Sequence, residues 1–480
     1  MSIEKYEPVI GLEVHVQLQT QTKIFCSCST KFGAEANTQT CPVCLGLPGS
    51  LPVLNEKALY FGIKTGIALN CHIAERLKFD RKNYFYPDLP KAYQISQFDM
   101  PVSYKGWLMI ETKNGNKKVG ITRAHLEEDA GKLIHEGIKD GSVVDYNRCG
   151  TPLLEIVSEP DIRSPEEAYE YLTSLKAILE YLEVSDCNMD EGSLRCDANI
   201  SIRLKGTEKF GTRTEIKNLN SFKAVAKAIQ YEMERQADLL ESGGRVVQET
   251  RLWNDELGKT SLMRSKEEAH DYRYFPEPDL VPFTISRERV EEIKKSLPEL
   301  PQAREDRFIK DYKLSNYDAH VLVSDKKHAD YFEEAARSGA DPKKVSNWLT
   351  SELFGLLNTR KETLATCKVT AKSLAELIQL IDKQVISGKI AKEVLPIMVE
   401  TGKSPESIVK EKGLVQVTDT KFLDEVAKKI IEGNPKSVAD YKSGKTAAIG
   451  FLVGQMMKET KGKANPALAN QILEEHLKKS

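Results

Sequence analysis

Long apolar runs are missing from this chain: its longest, such as AIGFLVG near residue 450, fall far short of the ~20 residues that a membrane-spanning helix needs. Net charge of one sign is equally scarce. The 69 basic and 71 acidic residues leave −2, so the chain as a whole has no field to draw it onto nucleic acid or a lipid surface. The opening MSIEKYEPVIGLEV meets acidic residues at once and has no basic start, apolar stretch and small-residue cleavage site, so a cytoplasmic protein with no membrane partner is expected. Nine cysteines, an odd count without even spacing, argue against a secreted disulfide framework.

What is present is an ordinary balance of 40% hydrophobic and 29% charged residues over 480 positions, too many for one core, so two or three domains are expected. Four of the nine cysteines, Cys26, Cys28, Cys41 and Cys44, fall within CSCSTKFGAEANTQTCPVC. Two close thiolate pairs joined by a short loop suit a tetrahedral zinc ion. Four sulfur ligands would leave such an ion no open position, so it would staple the loop at 26–44 and the chemistry would lie elsewhere.

From about residue 5 to 290 the pattern predicts strands with interspersed helices. In IGLEVHVQL, Leu12, Val14, Val16 and Leu18 alternate with Glu13, His15 and Gln17, which makes a strand with one buried and one polar face and projects Glu13 and His15 together. SLRCDANISIRL alternates in the same way, with Arg195, Asp197, Asn199 and Ser201 on its polar side. Asn114 and Gly115 mark a hairpin turn, and Ser164, Pro165 and Glu167 mark the capped start of a helix.

After Pro298 and Pro301 the apolar spacing becomes helical, as in Leu374, Leu377, Ile378 and Ile381, with Ser373 and Glu376 as the expected cap. Gly402, Ser404 and Pro405 mark a stop and restart. The expected fold is α+β: a mixed-sheet domain over 1–293, a helical domain over 294–402 and a small helical tail over 403–480. From Lys403 onward there are fourteen lysines, no arginine and ten acidic residues, so the tail carries +4 and the rest −6. The tail segment ADYKSGKT has the outline of a phosphate loop, but no strand precedes it, so a lysine-rich connector is expected. In KFDRKNYFYPDLPKAYQISQFD, basic residues alternate with Tyr84, Phe85, Tyr86 and Tyr93, either as a packed loop or as a cationic, aromatic wall for a phosphate or an aminoacyl end.

GLEVHVQL, KFDRKNYFYPDLPKAYQISQFD, HLEEDAGK, NRCGTPLLEIVSEPDIRSPEEA, EGSLRCDANIS, KNLNSF and DYRYFPEPDL, in this order, resemble the GatB subunit family of the glutamyl/aspartyl-tRNA amidotransferases. The likeness reaches FLVGQMMKETKGKANP, which resembles the YqeY-like tail of that family. It implies a cradle-shaped catalytic domain, a helical domain and a YqeY-like tail. It also implies an ATP-dependent, magnesium-requiring ligase that phosphorylates the side-chain carboxylate of glutamate mischarged on tRNA-Gln, or of aspartate mischarged on tRNA-Asn. Ammonia released from glutamine by a partner glutaminase (amidase) subunit would then form the amide, in a heterotrimer completed by a small third subunit.

Carried onto this sequence, the resemblance implies Glu13, His15, Glu128 and Glu155 as the metal-bearing cluster, with His15 either a ligand or an orienting group. Lys82 and Arg195 would offset phosphate and hold the nucleotide, and Asp197 would hold a cation or ammonia. Strand alternation instead groups Glu127 with Arg123 and His125, so the choice between Glu127 and Glu128 stays open. Two readings of other classes stand beside this one: a tRNA-binding scaffold without catalysis, and a zinc hydrolase built on the cysteines.

Overall fold

The computed structural model describes residues 3–134, 141–265, 271–414, 420–460 and 464–479. Residues 461–463 of the FLVGQMMKETKGKANP run, and 415–419 and 480 of the expected tail, lie outside the described residues. The chain divides into two compact units, Met1–Pro301 and Gln302–Ser480. The α+β class is as expected: a mixed sheet with helices comes first, and the second unit is helical among its described residues.

The first unit is built on a twelve-stranded sheet. Its strands include β1 (Tyr6–Gln17), β2 (Asp80–Asn83), β3 (Tyr93–Ser96), β4 (Ser103–Thr112), β5 (Gly115–Glu128), β6 (Pro152–Ser158), β7 (Leu194–Leu204), β8 (Thr214–Leu219), β9 (Glu249–Asn254), β10 (Lys259–Ser265) and β11 (Phe275–Pro276). The order across the sheet is β10-β9-β8-β7-β1-β6-β5-β3-β2-β11, with β4 hydrogen-bonded to β5. Only β8 and β9 run parallel among these pairs.

Alternation in β1 does what its letters predict. Leu12, Val14 and Val16 have no exposed surface, and Glu13, His15 and Gln17 face the other way, half-buried. The apolar face is covered by helices α1 (Glu56–Ala68), α2 (Pro165–Tyr181) and α3 (Phe222–Glu241), whose buried residues join one core with the strands. Ser164 caps α2 by accepting from the Glu167 amide at 3.2 Å. The Glu167 carboxylate accepts from the Arg163 amide at 2.7 Å rather than from the cap's own N–H. The hairpin turns one residue earlier than its Asn-Gly signal suggests: Thr112 pairs with Gly115, which takes a φ of 101° that suits glycine.

In the second unit, Thr370 and not Ser373 caps the helix Ala371–Asp382, because its hydroxyl accepts from the Ser373 amide at 3.1 Å. Ser404 and Pro405 do open a helix. ADYKSGKT runs out of the helix Pro435–Lys442 into a turn, so the strand that a phosphate loop requires is absent there. Leu423, Leu452, Met456, Leu473 and Leu477 form a separate small core near the chain's end. No helix among the described residues is long and apolar enough to cross a membrane.

Candidate functional site

The polar face of the sheet collects charge in rows set by strand register. His15 of β1 lies opposite Glu155 of β6 and Arg195 of β7, and Glu155 lies opposite His125 of β5. Four polar side chains from four strands therefore lie side by side on one face. His15 Nε2 is 3.4 Å from Glu155 and 3.9 Å from Glu127, while His125 Nε2 is 3.3 Å from Glu155 and 3.6 Å from Glu127.

Burial opposes charge on both imidazoles, yet the carboxylates win. Glu155 and Glu127 hold the His125 pKa up at about 9, and Glu155, Glu127 and Asp197 raise that of His15. Burial would likewise raise the two acids, but His125 and His15 keep both below the ordinary carboxylate range, Glu155 well below it. Two anions and two imidazoles thus balance one another in a largely buried site that stays open at His15 and Glu155.

One ligand atom each from His15, Glu127 and Glu155 lies within 4.8 Å of the other two. Oxygens around an octahedral magnesium ion are roughly 2.9 to 4.2 Å apart, so these donors match a hard divalent cation that keeps several waters. A buried, unpartnered Nδ1 on His125 is a further polar atom aimed at nothing among the described residues.

Glu128 is not in this cluster. Successive strand residues point to opposite faces, and its carboxylate lies on the other side of β5, where it accepts from Lys91 and, at 2.9 Å, from the Ile95 amide. There it borders a cavity of about 60 Å³ that is also lined by Cys26, Cys44 and Lys91. The expectation of Glu128 beside His15 and Glu155 is therefore corrected to Glu127.

The other expected residues flank the cluster. Glu13 accepts from Asn199 at 2.8 Å, and burial, then Glu155 and other acids, raise its pKa. Asp197 lies opposite Glu13 and is paired with Lys217, which also reaches Glu215 at 3.0 Å. Arg195 donates to Asp129 at 2.8 Å, and its buried Nε has no partner among the described residues. Lys82 stands over the Tyr272 ring at 4.8 Å with Tyr84 at 5.9 Å. No ion-pair partner lies within 4.0 Å of Lys82 among the described residues, although burial is outweighed by the Glu127 field and its pKa is raised. Sequence reasoning missed Asp129 and Lys217 as partners of Arg195 and Asp197, and assigned no role to Tyr272 or Tyr274. The quoted HLEEDAGK, KNLNSF and DYRYFPEPDL runs contain them but assign them no role.

The four cysteines Cys26, Cys28, Cys41 and Cys44 are free thiols whose sulfurs lie within 4.8 Å of one another. A tetrahedral zinc with ~2.3 Å bonds places sulfurs about 3.8 Å apart, so the quartet fits a metal with little adjustment. A hydrogen bond from Cys26 and the amide of Cys41, aided by the Lys23 charge, draw the Cys44 pKa down to about 4. Lys23 is wholly buried, with its ammonium 3.6 Å from Cys44 Sγ and 2.7 Å from the Gln39 carbonyl. Cys149 lies outside the quartet, with its thiol 3.5 Å from the Cys44 carbonyl.

Residues 8–291 match the family described as the GatB/GatE catalytic domain, and residues 330–477 match the GatB domain. The GatB subunit of the aspartyl/glutamyl-tRNA(Asn/Gln) amidotransferase of Caldanaerobacter subterraneus subsp. tengcongensis is 61% identical over 475 residues, 99% of this chain and 100% of the relative. The proteins of the same name from Carboxydothermus hydrogenoformans and Persephonella marina are 58% and 56% identical, each over 99% of this chain and 100% of their own length.

Proposed function

This chain belongs to the GatB subunit family of the aspartyl/glutamyl-tRNA(Asn/Gln) amidotransferases, and from that membership we propose that it activates and amidates a glutamyl or aspartyl side chain esterified to tRNA. The reading is carried by the meeting of His15, Glu127 and Glu155 on one sheet face near Lys82, a cation with no ion-pair partner among the described residues. An oxygen of the substrate carboxylate attacks the γ-phosphorus of ATP, the bond to ADP breaks, and an acyl phosphate forms. Ammonia then adds at the acyl carbon, phosphate leaves with the bonding pair, and a proton is lost to give the amide.

The attacking carboxylate is already ionised near neutral pH, so the protein's task is alignment and charge compensation rather than strong base catalysis. Bound magnesium would neutralise phosphate charge, with His15, Glu127 and Glu155 as its protein donors. Lys82 would meet the transferring phosphoryl group and offset its charge. The faces of Tyr272 and Tyr84 beside it favour the charged ammonium. Arg195, fixed by Asp129, offers its remaining donors to phosphate oxygens. Glu13 and Asp197, both on the same face, hold a cation or receive ammonia.

The cysteine quartet holds structural zinc, stapling residues 26–44 against the sheet. Ammonia comes from a partner glutaminase (amidase) subunit, with a small third subunit completing a cytoplasmic heterotrimer, and mischarged tRNA is the second substrate. The domain boundaries fall near 293 and 402, and the lysine-rich tail from 403 meets the tRNA; its separate core supports treating it as its own domain.

The test is reconstitution. The full chain with active partners, ATP, Mg²⁺, glutamine and Glu-tRNA(Gln) yields ADP and Gln-tRNA(Gln) in equal amounts; absence of both products, with the partner's glutaminase working, refutes the reading. Deleting 403–480 weakens tRNA affinity but leaves turnover at saturating tRNA, whereas a mere scaffold loses its whole contribution.

A further inference from the structure

An open cavity of about 510 Å³ lies beyond the candidate site, lined by Arg76 and Arg123 with Phe98 and Tyr104, and by the acids Glu75 and Asp99. The acids are already answered: Glu75 pairs with Arg287 at 2.7 Å and Asp99 with Lys78 at 2.8 Å. Neither Arg76 nor Arg123 has a side-chain hydrogen bond or ion pair among the described residues, so the cavity presents two uncommitted guanidinium groups beside two exposed rings. Unpaired cations with aromatic faces are the surface that an unstacked nucleotide at an RNA end requires.

Register ties this cavity to the metal-bearing face. The ladder between β5 and β6 pairs Arg123 with Val157 and Ile121 with Ser158, skipping Thr122, so a bulge turns Thr122 and Arg123 to the solvent side. Arg123 then shares its face with His125 and Glu127 along one strand. Four residues at about 3.3 Å each put it roughly 13 Å from Glu127, the span of a nucleoside that carries an esterified glutamyl side chain. Phe98 is the shared wall. One of its faces stacks on Tyr274 at 4.0 Å and 10°, Tyr274 sits in the field of Lys82, Glu127 and Glu155, and Phe98 is otherwise 55% exposed on the cavity.

We propose that this cavity is the seat of the 3′-terminal nucleotide of the tRNA, with its base against Phe98 and Tyr104 and its 5′-phosphate on Arg76 and Arg123; this rests on the reading that the substrate is an aminoacyl-tRNA. The direction of charge selects this occupant over ATP. In ATP the phosphates lie between the base and the metal, so the far end needs no cations. In the terminal nucleotide the aminoacyl ester points toward the metal and the phosphate points away, where the two arginines stand. Arg76 and Arg123 are substrate-positioning residues in this account.

The test uses the reconstituted complex and tRNA(Gln) with or without its last nucleotide. Removing that nucleotide weakens binding to the wild type about tenfold. Phe98→Leu and Arg123→Gln bind intact tRNA as weakly as the wild type binds the shortened one and lose nothing more on shortening, while their KM for ATP stays within about twofold. The exposed Arg76→Gln gives the same pattern independently of any disturbance to the β5 bulge.

A further loss on shortening in all three variants overturns the proposal, as does a wild type blind to the last nucleotide. A raised KM for ATP with unchanged tRNA binding overturns it in favour of the adenosine of ATP. A wild type that binds the tRNA end in this way and yet makes no amide rejects the transamidation reading alone and leaves the pocket standing.

Discussion

Glu333, in the helix Lys326–Arg337, gives a prediction whose size follows from its surroundings. Its carboxylate accepts from Arg304 at 2.6 Å, Arg307 at 2.8 Å, Arg337 at 3.1 Å and the Tyr312 hydroxyl at 3.2 Å. Burial alone would raise its pKa, but the hydrogen bonds and charges of Arg307 and Arg304 bring it down from 4.5 to about 2. Unscreened, that depression is worth about 3 kcal/mol; because Arg307 is partly open to water, about 1.5 kcal/mol is the better figure.

A depressed carboxyl stabilises the fold above its unfolded pKa, and the contribution fades as pH falls from about 4.5 through about 2. Glu333→Gln keeps the shape and removes the charge. It therefore loses about 1.5 kcal/mol at pH 7 and matches the wild type near pH 2. Glu333→Ala costs about 3 kcal/mol at pH 7, because buried Arg304 loses its nearest carboxylate, with Asp330 left at 2.7 Å. Hydrogen exchange of the amides in Lys326–Arg337, corrected for intrinsic rates, reads the local opening energy in a two-unit chain where one melting temperature would blend both units. An equal gap between wild type and Glu333→Gln at pH 7 and pH 2.5 would refute the charge argument.

Lys82→Met keeps the stem against Tyr272 and Tyr84 but removes the cation, so ADP formation falls about 10²- to 10³-fold while glutaminase activity of the partner stays intact; assaying the two separately checks it. Cys26→Ser with Cys41→Ser abolishes bound zinc and lowers the midpoint of the first unit's unfolding transition by about 5 °C, with residual transamidation persisting below that temperature. Loss of all chemistry in a chain that melts normally would instead favour a catalytic metal at the cysteines.

Where burial and polarity alternate residue by residue, the site was legible in the letters. β1 and β7 show this: Glu13, His15, Arg195 and Asp197 stand on the face that period-2 reading assigns. Alternation also grouped Glu127 with His125, whereas motif likeness favoured Glu128. The strand settles the placement, because neighbouring carboxylates in an extended chain cannot share a side. The cysteine spacing was equally plain, since paired thiols report their own geometry.

What stayed hidden depends on long-range pairing. Lys82 meets Tyr272 because β11 pairs with β2 across nearly two hundred residues, and the cavity at Arg123 depends on a single skipped residue that no hydropathy pattern marks. The cap at Thr370 was missed because Thr370 and Ser373 are both able N-caps three residues apart, and the helix starts at Ala371, which makes the earlier one the cap.

His15, Glu127 and Glu155, from β1, β5 and β6, are proposed to converge on one divalent ion. Binding of Mn²⁺ to the full chain, followed by electron paramagnetic resonance, tests it directly in the wild type and in Glu127→Gln, Glu155→Gln and Glu128→Gln. One tightly held ion is expected, lost in the first two variants and kept in the third. An ion retained by both Glu127→Gln and Glu155→Gln, or lost in Glu128→Gln alone, would contradict it.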